Sequence, residues 1–108
     1  MTPKSMVALR KFALRLQGVE EGVACEGTAL EARTIKVRKK AFLFLRPKEA
    51  RLKLGASLKD AAKRASKEPD RYVVGANGWV LLRFDDATDP LDVFTRWVAE
   101  SHALFAKP

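Results

Sequence analysis

The sequence predicts an α+β fold: a two-layer, five-stranded antiparallel sheet packed on helices, with the elements in the order α-β-β-β-α-β-β-α. Three observations predict it. Apolar residues recur at helical spacing near both ends of the chain. Polar and apolar residues alternate in short stretches between them. The connections are short, which favours neighbouring antiparallel strands.

The first helix is expected over residues 3–17. Thr2-Pro3 reads as an N-cap followed by proline at the first helical position. Met6, Leu9, Phe12 (or Ala13) and Leu16 then recur at helical spacing, and Gly18 supplies the stop. Val19 to Ala24 reads as a connector. Thr34-Ile35-Lys36-Val37-Arg38 alternates as a half-buried strand does, Arg38-Lys39-Lys40 is the turn, and Ala41-Phe42-Leu43-Phe44-Leu45 returns. Arg51-Leu52-Lys53-Leu54 makes the third strand.

Ser57-Leu58-Lys59-Asp60 has capping-box spacing and opens a second helix, with Leu58, Ala61, Ala62 and Ala65 on one face and an end before Pro69. Arg71 to Val74 and Trp79 to Phe84 are the last two strands, joined by Gly75-Ala76-Asn77-Gly78, which tolerates positive φ. Asp89-Pro90-Leu91-Asp92 reads as an N-cap, a first-turn proline and an acid against the helix dipole. The closing helix, 90–106, carries Leu91, Phe94, Val98 and Phe105 on one stripe, widened by Val93, Trp97 and Leu104.

With 108 residues, 47% of them apolar and 31% charged, the chain suits one domain, 1–108, with a core that needs no metal or disulfide. No apolar run approaches the ~20 residues of a membrane span, and Met1-Thr2-Pro3-Lys4 lacks a secretory hydrophobic region, so a cytoplasmic location without membrane contact is expected. Cys25 stands alone, which excludes an internal disulfide and a cysteine-rich metal site.

Charge is where the sequence speaks most directly about partners. The formal surplus is +8, and nine basic residues lie between Arg33 and Lys53 against a single acid, Glu49, while the rest of the chain is neutral. If Ile35, Val37, Leu52 and Leu54 face the helices, the period of two puts Lys36, Arg38, Arg51 and Lys53 on the opposite face. Trp79, Leu81 and Arg83 join them from the last strand. Five cations beside one indole suit a polyanion, because cations neutralise phosphates and an aromatic stacks on an unpaired base. The expected phosphate contacts are Lys36, Arg38, Lys39, Lys40, Arg51 and Lys53, with Trp79 as the stacking residue. A wet sheet face and charged edges account for the same cations without a ligand.

Several stretches also resemble a known family. Leu16-Gln17-Gly18-Val19-Glu20-Glu21-Gly22 is similar to the L-P-G-V-E-E element of MmcQ/YjbR proteins. Lys36-Val37-Arg38-Lys39-Lys40-Ala41-Phe42 resembles their K-V-x-G-K-x-F hairpin, and Gly78-Trp79-Val80 their Trp-led strand. Gln17 stands where the family has proline, and Lys39 where it has a turn glycine. The resemblance implies a fold like those of frataxin-type (CyaY-like) proteins and secretion chaperones, and DNA as the polyanion. The acidic ridge that iron binding requires is not in this sequence.

The remaining chemistry-bearing residues are read plainly. Lys59, Lys63 and Lys67 form an i, i+4, i+8 row, expected to be a solvated face paired with Asp60, Glu68 and Asp70. Asp85, Asp86, Asp89 and Asp92 match no calcium loop, and the last two have helix-terminus work. His102 has no partner for a triad or metal site, and Cys25 beside Glu26 is not activated. Glu20 and Glu21 point apart and fix the first helix against the sheet. The expectation is therefore a DNA- or nucleic-acid-binding domain, not an enzyme, with no cofactor and no metal, monomeric or weakly dimeric. The alternative is an adaptor or chaperone-like module for an acidic protein partner.

Overall fold

The computed structural model describes residues 4–24, 27, 28 and 31–107, and the expected Thr2-Pro3 cap and Cys25 lie outside them. Helix α1 is Lys4–Ala13, followed by strands β1 (Val19–Ala24), β2 (Ala32–Val37), β3 (Lys40–Arg46) and β4 (Glu49–Lys53). Helix α2 (Leu58–Lys67), strands β5 (Tyr72–Val74) and β6 (Trp79–Arg83) and helix α3 (Leu91–Ala106) complete the chain. The α+β class with an antiparallel sheet and three helices is as expected. Among the described residues the sheet, however, has six strands, in the order β1-β2-β3-β4-β6-β5, not five.

The extra strand is β1, expected to be a connector. Its residues do not alternate in polarity, because it is an edge strand whose charges are matched by neighbours. Arg10 of α1 donates from Nε and Nη2 to Glu21 at 2.6 and 2.8 Å, and Arg33 lies 3.9 Å away. The hydrogen bonds from Arg10 hold the Glu21 carboxyl below its ordinary range. Glu21 thus ties α1 to the sheet, as expected, but from a strand.

Directly paired residues share a face of the sheet. Ile35, Leu43, Leu52 and Val80 form one row across four strands, and Leu45, Ala50, Leu82 and Tyr72 another. All eight are buried, and they meet Leu9 and Ala13 of α1, Ala61 of α2 and Phe94, Trp97 and Val98 of α3 in one core. The helices therefore cover this face and leave the other open. Between Ile35 and Lys36 the register to β3 shifts by one residue, at Phe42. This bulge lets consecutive residues, Phe42 and Leu43, both be buried. Ser101 of α3 donates to the Phe42 carbonyl at 2.6 Å and accepts from the Lys53 N–H at 3.1 Å, locking α3 to two strands.

Three helix termini differ from expectation. α1 stops at Ala13, short of residue 17, and tightens through i→i−3 bonds from Arg15 to Phe12 and Leu16 to Ala13 before Gly18 at φ 74. Ser57 precedes α2, but its side chain makes no cap bond and Asp60 is held by Arg64 instead of completing a capping box. Glu100 of α3 does the capping: it accepts the N–H groups of Gly55 and Ser57 at 2.8 and 3.0 Å and the Ser57 hydroxyl at 2.7 Å. The residue at the N-cap of α3 is Pro90, not Asp89.

The turn before β6 is as expected. Asn77 and Gly78 have φ 59 and 85, and a Cβ on Gly78 would stand 2.6 Å from the Leu54 carbonyl oxygen. Among the described residues, no helix is long and apolar enough to cross a membrane.

Candidate nucleic-acid interface

The open face follows from the register opposite to that of the core. Gly22, Thr34, Phe44, Arg51, Leu81 and Val73 form one row across all six strands. Lys53 and Trp79 are directly paired one step along. Phe44 and Trp79 meet edge to face with centroids 6.0 Å apart, and Phe105, at the end of α3, closes on Trp79 at 5.9 Å. The Arg51 guanidinium lies over the Trp79 ring at 5.2 Å, and the Lys53 ammonium lies 5.7 Å from the Phe105 centroid. Both contacts fall within the range in which a cation is attracted to a ring face, worth about 0.5–1 kcal/mol at exposed sites.

The cations expected to act together are divided. Arg51, Lys53 and Trp79 do come together. Lys36 is on the same face but two strands from Arg51, directly opposite Glu20 of β1. Arg83 is on the face too, paired with Glu49 and donating to the Asp70 carbonyl at 2.9 Å.

Arg38 is not a cation of the open face. It and Lys39 are the two central residues of the hairpin turn, both at positive φ, and its guanidinium reaches back to the Ala106 carbonyl of α3 at 3.5 Å. That carbonyl belongs to the negative end of a helix, a natural seat for a cation. Lys40, expected in the turn, opens β3, where it pairs with Val37 and shares the helix-side face, exposed at its rim. The basic run is therefore spread over two faces and a tip, because Arg33 also turns toward Glu21 on the helix side.

Two members of the aromatic cluster carry no sequence-level expectation as site residues. Phe44 sits in an unbroken apolar run, in which period two hides behind Phe42-Leu43-Phe44-Leu45. Aligning that run with Arg51-Leu52-Lys53 would have placed Phe44 beside Arg51. Phe105 falls on the stripe expected to be buried; it is half-buried against the margin of the core and from there also meets Trp79.

The other candidates have structural partners. Asp86 accepts the N–H groups of Lys4 and Ser5 at 3.1 and 2.9 Å and so caps α1, and the Ser5 N–H bond leads the effects that hold its carboxyl low. Asp89 accepts the Ser5 hydroxyl at 2.5 Å, the Asp85 N–H and the Arg71 guanidinium. His102 bonds through Nε2 with the Gln17 carbonyl at 2.8 Å and meets the Phe42 ring edge-on at 5.2 Å. Among the described residues, no three His, Cys, Asp or Glu side chains are grouped as a metal ion would require.

No family model, curated protein or solved structure matches the chain.

Proposed function

We propose that this chain is a single-domain nucleic-acid-binding module of the MmcQ/YjbR type, acting on DNA through the open sheet face without catalysis. The observation that carries the reading is the cluster of Arg51, Lys53 and Trp79, with Phe44 and Phe105 packed around the indole. Cations fixed over aromatic rings offer phosphate neutralisation and a stacking surface in one place, the combination used on flexible single strands. Lys36 and Arg83 flank this centre, and Lys39 extends it at the hairpin tip, whereas Lys40 lies on the helix-side face. Binding is of low sequence preference, with Kd on the order of 10⁻⁴ to 10⁻⁶ M at physiological salt.

Fluorescence anisotropy with a labelled single strand and its duplex over a salt series tests this. Wild type saturates at low salt, whereas Arg51→Glu/Lys53→Glu binds both more weakly and with a salt slope shallower by about 1.5–2. Equal binding by the variant, or none by the wild type, removes the reading.

One observation favours a protein partner instead. Val73 and Val74 on the edge strand β5 are 41% and 37% exposed, which suits edge pairing with another chain. An Arg51/Lys53 variant indistinguishable from wild type toward DNA would leave this adaptor reading standing.

A further inference from the structure

Lys59, Lys63 and Lys67 stack on successive turns of α2, a row about 12 Å long at about 1.5 Å rise per residue. The sequence pairs them with nearby acids. In the structure two of those acids are engaged by arginines: Asp60 with Arg64 at 3.1 Å and Glu68 with Arg71 at 3.4 Å. Arg64 also lies over the Trp97 ring at 5.9 Å, while Asp60 stays beside Lys59 and Lys63 with its charge matched by Arg64. All three lysines are exposed, while Ala61 is fully buried and Leu58 and Ala65 pack against the core. On a helical projection the row lies opposite that buried stripe. It therefore faces outward from the helical side of the sheet, away from the open face.

We infer that this row is a second phosphate-binding surface, so that one molecule joins two nucleic-acid segments, one on the open sheet face and one along α2. The inference rests on the proposed function for the first surface and adds the second. Laid along a duplex axis, a row of about 12 Å passes three or four phosphates of one strand, at about 3.4 Å of axial rise each. Neutral charge outside residues 33–53 does not preclude such a surface, because Glu21, Asp86, Asp89 and Glu100 are used in internal ion pairs and helix caps. Even the shortest dimension of the molecule, 24 Å, exceeds the Debye length of about 8 Å at physiological salt, so two bound polyanions are screened from each other.

The test immobilises one short DNA duplex and measures capture of a second, fluorescent duplex by added protein, alongside anisotropy with a single duplex. The variants are Lys59→Gln/Lys63→Gln/Lys67→Gln and Arg51→Glu/Lys53→Glu. Wild type captures the second duplex. The α2 variant binds a single duplex within about threefold of wild type but loses capture by about tenfold or more. The sheet variant keeps weak single-duplex binding, with a salt slope of about 2–3 from the three lysines. Wild type that binds one duplex without capturing another overturns the inference and leaves the sheet reading intact. Undiminished capture by the α2 variant overturns it by assigning bridging to paired protein molecules, and complete loss of binding in the sheet variant overturns it by denying α2 any affinity. Wild type that binds no duplex at all removes both surfaces.

Discussion

Asp89, with a side chain only 1% exposed, receives the Arg71 guanidinium from across eighteen residues of sequence. The same carboxylate accepts the Ser5 hydroxyl and the Asp85 N–H, so a single side chain joins α1, the start of β5 and the approach to α3. Its lone pairs are taken by protein donors, which is why an acid-rich segment that invites a metal reading works as a knot instead.

Asp89→Ala is expected to destabilise the fold by about 3–5 kcal/mol, because it strands a half-buried guanidinium as well as two further donors, the Ser5 hydroxyl and the Asp85 N–H. Asp92→Ala, at the exposed first turn of α3, should cost only about 0.3–1 kcal/mol through the helix dipole. Urea denaturation of the two variants measures the contrast. Equal, small losses would show that the knot carries no stability.

Acid should loosen the termini of two helices. Asp86 caps α1, and the N–H of Ser5 leads the interactions that lower its carboxyl. For Glu100, burial alone would raise the carboxyl, but the Ser57 N–H, the Ser57 hydroxyl and the Gly55 N–H together bring it below the ordinary range. A carboxyl lowered in the folded state binds protons more readily when unfolded, so it adds stability above the unfolded value, near pH 4, and loses it as pH falls through the folded one. Stability measured by denaturant should therefore drop below about pH 5. Glu100→Gln should start about 1 kcal/mol lower at neutral pH and fall less steeply in acid, as a lost cap would. A wild-type curve that is flat down to pH 3, or a Gln variant that falls in parallel with it, would contradict this.

The elements legible in the sequence are those whose burial follows a period. α3 announces itself through Leu91, Phe94 and Val98, and β4 and β6 through alternation, because one face of each meets the core. β1 is not legible, since the middle of its helix-side residues, Val19, Glu21 and Val23, is an acid whose partners come from α1 and β2. The helix caps fail for a related reason: Asp86 stands 81 residues from the Ser5 N–H it accepts, and Glu100 stands 43 from Ser57. Short-range capping signals cannot anticipate donors supplied by the tertiary fold. The candidate site is half legible, because alternation places Arg51, Lys53 and Trp79 correctly. Arg38 departs from the pattern where the strand ends, and Phe44 becomes visible only once the hairpin register is known.

The hairpin tip combines strain with charge. A two-residue connection between antiparallel strands favours positive φ at both central positions, and glycine or asparagine usually supplies it. Here Arg38 and Lys39 adopt φ 54 and 67. Left-handed backbone costs an L-residue about 1–2 kcal/mol, and glycine's greater freedom in the unfolded chain returns about 0.5–1 of that. Lys39→Gly should therefore stabilise the protein by about 0.5–1 kcal/mol, whereas Arg38→Gly should gain less because it gives up the bond to the Ala106 carbonyl. If Lys39 contacts phosphate, the same Lys39→Gly variant lowers the salt slope of DNA binding by about 0.9 while its midpoint of urea denaturation rises. Opposite movements of stability and binding would identify the tip as backbone strain retained for a cation. A more stable variant with an unchanged slope would remove Lys39 from the interface, and an unchanged denaturation midpoint would show that the turn carries no such strain.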